Sequence, residues 1–128
     1  MEDDKITIGF KFPKLTVSRK GNFNMEPKIY NKLVRDKIPD IIKADNKKCD
    51  VDIVTGKDKF DLLEKKLMEE VNEYLEDKNV EELADIVEVI FGIAHELGCS
   101  EDKLMEVRIK KKEERGGFKD GIVLKSVK

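Results

Sequence analysis

Apolar side chains recur at helical spacing over residues 58–77. Steps of three and four separate the apolar positions of this stretch, which are Phe60, Leu63, Leu67, Val71 and Tyr74. That spacing places them on one face of a helix and leaves the charged residues on the other face. The pattern predicts a long amphipathic helix.

Capping residues divide the following stretch into two more predicted helices. Asn79 is a favoured N-cap residue, and the helical pattern after it continues until Gly98, a residue type that commonly ends helices. Ser100 is predicted to cap a last helix, which ends at Gly116. The basic end of this last helix suits a helix C-terminus.

The segment 83–97 is apolar around most of the circumference of its predicted helix. Such a helix needs cover on several sides, and the chain offers only two other substantial helices and a short one. A second copy of the chain would supply the missing cover. We therefore expect an all-α fold, an antiparallel helical bundle completed by homo-oligomerisation, with this helix in or near the interface.

The first part of the chain has a different pattern. Apolar and polar residues alternate over 5–12, which predicts a half-buried strand, and residues 15–19 form a candidate returning strand before a loop at 21–24. An isolated hairpin is only marginally stable in water. We expect an N-terminal extension over residues 1–28, with a β-hairpin as its candidate structure, followed by one helical domain over 29–128.

Three shorter segments complete the predicted elements. Residues 33–45 predict a short helix, with Pro39 in its first turn and Asp36 as a candidate N-cap. Residues 49–56 alternate before a glycine and are either a short strand or an extended connector. Residues 121–127 are a candidate final strand.

Composition narrows the class of protein. With 128 residues, of which 42% are charged, the chain has the size of one domain and the exterior expected of a soluble protein. A net charge of −2 does not favour generic nucleic-acid binding. The chain shows neither an apolar run of roughly 20 residues nor a signal-peptide pattern, so we expect a cytoplasmic protein. Cys49 and Cys99 belong to no CxxC pair and are expected to be reduced thiols.

Carboxylates at helical spacing flank the predicted break between the two long helices. Glu70 and Glu73 are three residues apart on the first helix, and Glu82 and Asp85 are three apart on the second. In an antiparallel helix pair these four side chains can converge. Carboxylates that meet near a core edge raise one another's pKa, and a hard divalent cation such as Mg²⁺ relieves that conflict. The spacing therefore suggests a magnesium site.

A purely structural interpretation of these acids stays open. Glu82 is the third residue after Asn79 and could complete a capping box. Glu69, Glu76 and Glu81 are expected only to solvate exposed faces. Acidic residues in a first helical turn also suit the helix dipole.

The order of four segments resembles a known family. The segments are YNKLVRDKIPDII at 30–42, KLMEEVNEYL at 66–75, EELADIVEVI at 81–90 and KKKEERGGF at 110–118. Together they resemble the MazG-like branch of the all-α nucleoside triphosphate pyrophosphatases, which are similar to phosphoribosyl-ATP pyrophosphohydrolase. The family motif is ExxE followed by ExxD, and the likeness extends over residues 29–124.

The resemblance implies a Mg²⁺-dependent enzyme, with Mn²⁺ as a substitute ion, that hydrolyses noncanonical or surplus nucleoside triphosphates to the monophosphate and pyrophosphate. The implied metal ligands are Glu70, Glu73, Glu82 and Asp85, with Glu73 and Glu70 as the candidate catalytic carboxylates. Positive side chains would bind the triphosphate. The candidates are Lys32, Arg35, Lys37, Lys111 and Arg115. The family also implies a homodimer or a tetramer.

Individual residues keep a second interpretation. Arg35 is alternatively the partner of a structural acid, and the lysines near residue 111 are alternatively a solvated helix end. His95 is expected to be packed or at an interface. Tyr74 is expected to be in the core, whereas Phe118 remains a candidate for stacking on a nucleobase.

Three alternative functions remain after the resemblance. They are hydrolysis of phosphoribosyl-ATP, a non-catalytic helical interaction module and a metal-binding protein without turnover. The LVRDKIP segment favours the branch that removes unwanted nucleotides. Intact ExxE and ExxD pairs argue against a degenerate relative that has lost catalysis.

Overall fold

The computed structural model describes residues 16–17, 23–24 and 28–128. Four helices are described, and they are α1, Ile38–Ala44; α2, Gly56–Asp77; α3, Val80–Glu96; and α4, Glu101–Arg115. Residues 28–128 are thus all-α, and the predicted fold class is confirmed. Within the described part, no helix is both long enough and apolar enough to cross a membrane.

Two very short strands pair ahead of the helices. β1, Thr16–Val17, lies antiparallel to β2, Phe23–Asn24. β1 falls in the predicted returning strand, but β2 falls in the stretch predicted to be a loop. The predicted strand over 5–12 lies outside the described residues. An alternating pattern indicates strand propensity without specifying which segment becomes the partner.

A two-residue link joins α2 to α3. Lys78 adopts a left-handed conformation with φ 41°, and its N–H donates to the carbonyl of Tyr74, which ends α2. The side-chain oxygen of Asn79 accepts a hydrogen bond of 2.9 Å from the N–H of Glu82 and begins α3. The predicted cap at Asn79 is confirmed, and the tight link makes the two helices adjacent.

α2 and α3 pack against each other in an antiparallel arrangement. Lys59 Nζ lies 3.0 Å from Glu96 Oε2 at one end of the pair. Nearer the link, a Cβ added at Gly92 would lie only 3.0 Å from a methyl carbon of Leu63. Glycine at position 92 therefore lets the two helices approach closely, and the antiparallel arrangement brings the acidic ends of both helices together.

The core of the described part is small. Its buried apolar residues are Ile38, Leu63, Val89 and Ala94. They come from α1, α2 and α3, whereas α4 has no buried residue. So few buried side chains leave much apolar surface exposed on a single copy of the chain.

The last helix has the boundaries that its capping residues predict. Ser100 Oγ accepts a hydrogen bond of 3.1 Å from the N–H of Lys103, and Gly116, with φ 84°, follows the final helical residue. Cys49 and Cys99 are free thiols. The boundaries of α4 follow from local sequence, because a cap needs only residues within one helical turn.

The start of α1 differs from the prediction. Its N-cap is Lys37, which makes no side-chain capping hydrogen bond, so the assignment of Asp36 as the cap was wrong. The N–H of Ile38 donates to the carbonyl of Arg35, and the resulting turn places Asp36 before the helix. Pro39 does lie in the first turn, where its missing N–H costs no intrahelical hydrogen bond.

Two candidate strands are absent from the described helical domain. Residues 49–55 have no regular secondary structure and connect α1 to α2, so the strand among the two predicted alternatives is absent. Residues 121–127 form no strand and are all exposed, so that prediction was wrong. A strand needs a neighbour to satisfy its backbone groups, and local apolar pattern does not supply one.

Candidate metal centre

Three of the four predicted ligands converge between α2 and α3. One carboxylate oxygen from each of Glu70, Glu82 and Asp85 lies within 4.8 Å of the others. Glu70 is 1% exposed and Asp85 is 8% exposed. The antiparallel pairing brings them together because Glu70 precedes the link and the other two follow it. We call this group the carboxylate cluster.

Glu73 lies beside the carboxylate cluster and is not one of its three converging residues. It is half-buried, one helical turn beyond Glu70 on α2. Its charge is close enough to contribute to the raised pKa of Glu70. The structure therefore places the fourth predicted ligand next to the cluster.

The environment of Glu70 is unusual for a carboxylate. Both of its oxygens are buried and accept no hydrogen bond of good geometry from the described residues, although Lys66 Nζ lies 3.1 Å from Oε2. Burial raises the pKa of Glu70, the Lys66 ammonium opposes this rise, and the charges of Glu73 and Asp85 add to it. A buried carboxylate whose oxygens accept no hydrogen bond favours positive charge beside it, whether from the Lys66 ammonium or from a bound cation.

Basic side chains that precede residue 69 in the sequence contact Glu69 and Asp85. Arg35 Nη2 lies 2.7 Å from Asp85 Oδ1. Lys66 Nζ lies 3.0 Å from Glu69 Oε1, and Lys32 also donates to Glu69. Arg35 therefore pairs with an acid, as its alternative interpretation expects, and that acid is itself a candidate ligand.

Glu69 is not the solvated residue that its position in the sequence suggested. It is half-buried and accepts hydrogen bonds from both Lys32 and Lys66. Burial acts to raise the pKa of Glu69, but the two lysine hydrogen bonds and their charges outweigh burial and lower it. Glu76 and Glu81 are exposed, as predicted.

The carboxylate cluster opens onto a groove of about 710 Å³. Its walls come from α2, α3, α1 and the segment that precedes α1. Four lysine and arginine side chains line it together with Glu70 and Asp85, and they are Arg35, Lys37, Lys59 and Lys66. Acidic and basic groups therefore face the same space, as the binding of a metal and a phosphate chain requires.

His95 lines the same groove from α3. Its side chain is 82% exposed, with Nδ1 3.9 Å from Glu96 Oε2. The expectation that His95 is packed is therefore wrong within one copy of the chain. Its apolar neighbours in sequence suggest packing, but its position on the helix turns the side chain towards the groove.

The remaining predicted residues lie away from the carboxylate cluster. Lys111 and Arg115 are exposed on α4, and none of the described residues that line the groove belongs to α4. Phe118 is fully exposed. Tyr74 is half-buried, with Lys78 Nζ 5.8 Å from its ring centre, so it is only partly in the core.

Lys66 contacts two carboxylates near the groove, although it belongs to neither the ExxE nor the ExxD motif. It stands three and four positions before Glu69 and Glu70, so all three lie on one face of α2. The helical spacing was a usable signal.

The chain was compared with protein-family models, with curated proteins and with solved structures, and none of them matches it. The function is therefore inferred from the geometry of the groove and from the resemblance of the four segments.

Proposed function

We propose that the protein hydrolyses nucleoside triphosphates to the monophosphate and pyrophosphate, with Mg²⁺ or Mn²⁺ at the carboxylate cluster. Noncanonical or surplus nucleotides are the proposed substrates. The observation that supports this best is the buried Glu70, whose oxygens face Glu82 and Asp85 in a groove that also carries basic side chains. All three supply the oxygen ligands that Mg²⁺ prefers.

Different residues in and beside the groove bind the phosphates, position the binding segment and accept the proton. Arg35 and Lys37 bind phosphate oxygens, and Lys32 holds its segment against α2 through Glu69. Mg²⁺, when bound, offsets the charge that develops on the phosphate. Water attacks the α-phosphorus, the bond from this phosphorus to the bridging oxygen breaks, and pyrophosphate leaves. Glu73, beside the cluster, accepts the proton of the water.

A second copy of the chain is part of the same proposal. Apolar side chains of α3 and of the residue that follows it remain exposed at positions that recur every seven residues, and they are Val80, Leu83, Val87, Ile90 and Leu97. A repeat of seven forms a continuous seam along a helix and is suited to packing against another helix. We call this the α3 seam. Two copies that pair their seams would enlarge the small core.

The test of the reaction uses a panel of common and modified nucleoside triphosphates together with phosphoribosyl-ATP. Each is incubated with the protein and Mg²⁺ in water enriched in ¹⁸O, and products are followed by ³¹P NMR. We expect pyrophosphate, with the label in the monophosphate, because water attacks the α-phosphorus. Orthophosphate as the first product, or label in pyrophosphate, would exclude the proposed bond. No product from any nucleotide would favour the interaction-module alternative.

The site assignment is tested with amide variants. We expect Glu70→Gln and Asp85→Asn each to lower kcat/KM at least about 100-fold, because each removes a carboxylate ligand of the ion that stabilises the transition state. The matched control is Glu76→Gln, which removes an exposed carboxylate from the same helix. Retained turnover in both amide variants, with normal helicity, would show that the carboxylate cluster is not the site.

A further inference from the structure

The bases that pair with Glu70 and Asp85 come from two different parts of the fold. Arg35 comes from the segment before α1, and it is 45% exposed at its contact with Asp85. Lys66 comes from α2 itself, one turn before Glu70, and its side chain is only 10% exposed. Its ammonium lies 3.0 Å from Glu69 and 3.1 Å from Glu70.

The position of Lys66 conflicts with tight binding of a free metal ion. A divalent cation held by Glu70 would lie close to this ammonium, and the two positive charges repel each other. Little water reaches Lys66 to screen that repulsion, in contrast to a surface lysine. The same ammonium lines the groove where the phosphates of the proposed substrate would lie. A lysine side chain is a flexible point charge that can change partners.

We propose that Lys66 is a built-in counter-ion of the carboxylate cluster and makes metal binding depend on the triphosphate. Without substrate, Lys66 stabilises Glu70 and weakens the affinity for a free divalent ion. When a metal–triphosphate complex enters, the ammonium turns from Glu70 to a phosphate oxygen and leaves the carboxylate to the metal. This inference rests on the proposed function, and it makes Lys66 a positioning residue of that reaction.

The test measures Mn²⁺ binding by electron paramagnetic resonance in the absence of any nucleotide. We expect Lys66→Gln to bind Mn²⁺ at least about tenfold more tightly than the wild type, because a nearby positive charge is removed. Lys66→Arg keeps the charge and should match the wild type. The matched control is Lys65→Gln, since Lys65 is exposed on the same helix. Equal or weaker Mn²⁺ binding by Lys66→Gln than by this control would overturn the proposal.

Loss of Lys66 also leaves Glu70 without its nearby ammonium, so the variant has a second readout. If Lys66→Gln is unfolded in EDTA, Mn²⁺ should restore its helicity, because the metal takes the place of the missing charge. Failure to fold at millimolar Mn²⁺ would count against a counter-ion role. Neither measurement requires turnover. If the protein releases no pyrophosphate but Lys66→Gln shows the tighter Mn²⁺ binding, the proposed reaction would be contradicted. The role of Lys66 as counter-ion would still be supported.

Discussion

Glu69 and Glu70 are neighbours in sequence, yet their surroundings shift their pKa values in opposite directions. Burial dominates at Glu70, and one nearby lysine does not overcome it, so its pKa is raised. Glu69 meets two lysines, and their combined hydrogen bonds and charges exceed the effect of burial, so its pKa is lowered. One step along a helix turns a side chain by about 100° and therefore changes its partners.

These opposite shifts predict opposite effects of pH on the metal-free protein. The folded pKa of Glu70 lies above its ordinary value of 4.5. Ionisation of Glu70 therefore costs stability at neutral pH, and that cost disappears as the pH falls towards 4.5. Glu70→Gln has no such cost. We expect its stability relative to the wild type to be greatest near pH 7 and to decline towards pH 4.5, as measured by urea unfolding in EDTA.

Glu69→Gln serves as the matched variant with the reverse sign. The folded pKa of Glu69 lies below 4.5, so its stabilising contribution is complete above 4.5 and is lost as the pH falls through the folded value. We expect Glu69→Gln to be less stable than the wild type near pH 7, with the difference closing only below pH 4.5. Parallel stability curves for both variants and the wild type would contradict the assigned surroundings.

At the scale of helices, the predictions were correct where a helix boundary depends on residues close in sequence. The spans of α2, α3 and α4 follow from apolar spacing and from caps such as Asn79 and Ser100, which act within one turn. The start of α1 was missed because a turn through Asp36 and Lys37, rather than a side-chain cap, precedes it. The final strand over 121–127 was wrong because strand formation depends on a distant partner.

The cap at Asn79 predicts a measurable contribution to stability. Asn79→Ala removes the acceptor for the N–H of Glu82 at the start of α3, and we expect a loss of about 1 kcal/mol in the free energy of unfolding. Asn79→Ser keeps an acceptor, and its free energy of unfolding should stay within a few tenths of a kcal/mol of the wild-type value. Urea midpoints at one protein concentration, with unchanged slope, give the comparison. Equal losses in both variants would exclude the cap as the cause.

At the scale of the whole molecule, the convergence of the three carboxylates was predictable, whereas the choice of Asp85 as the partner of Arg35 was not. Glu70, Glu82 and Asp85 flank a short link, so antiparallel pairing alone brings them together. Arg35 reaches Asp85 from 50 residues away, a contact that only the packing of the segment before α1 creates. The convergence of the carboxylates thus follows from local sequence, whereas the contact between Arg35 and Asp85 depends on tertiary structure.

The α3 seam carries the last prediction, which concerns assembly. Val87 lies midway along the seam and is exposed in a single copy. In a twofold interface Val87→Glu introduces one buried charge from each copy, and neither has a partner. We expect the wild type to sediment as a dimer or tetramer and Val87→Glu as a monomer with similar helicity. Lys103→Glu, a charge change at an exposed position on α4, should leave the assembly unchanged. A monomeric wild type, or an assembly that Val87→Glu does not weaken, would mean that the α3 seam does not join copies of this chain.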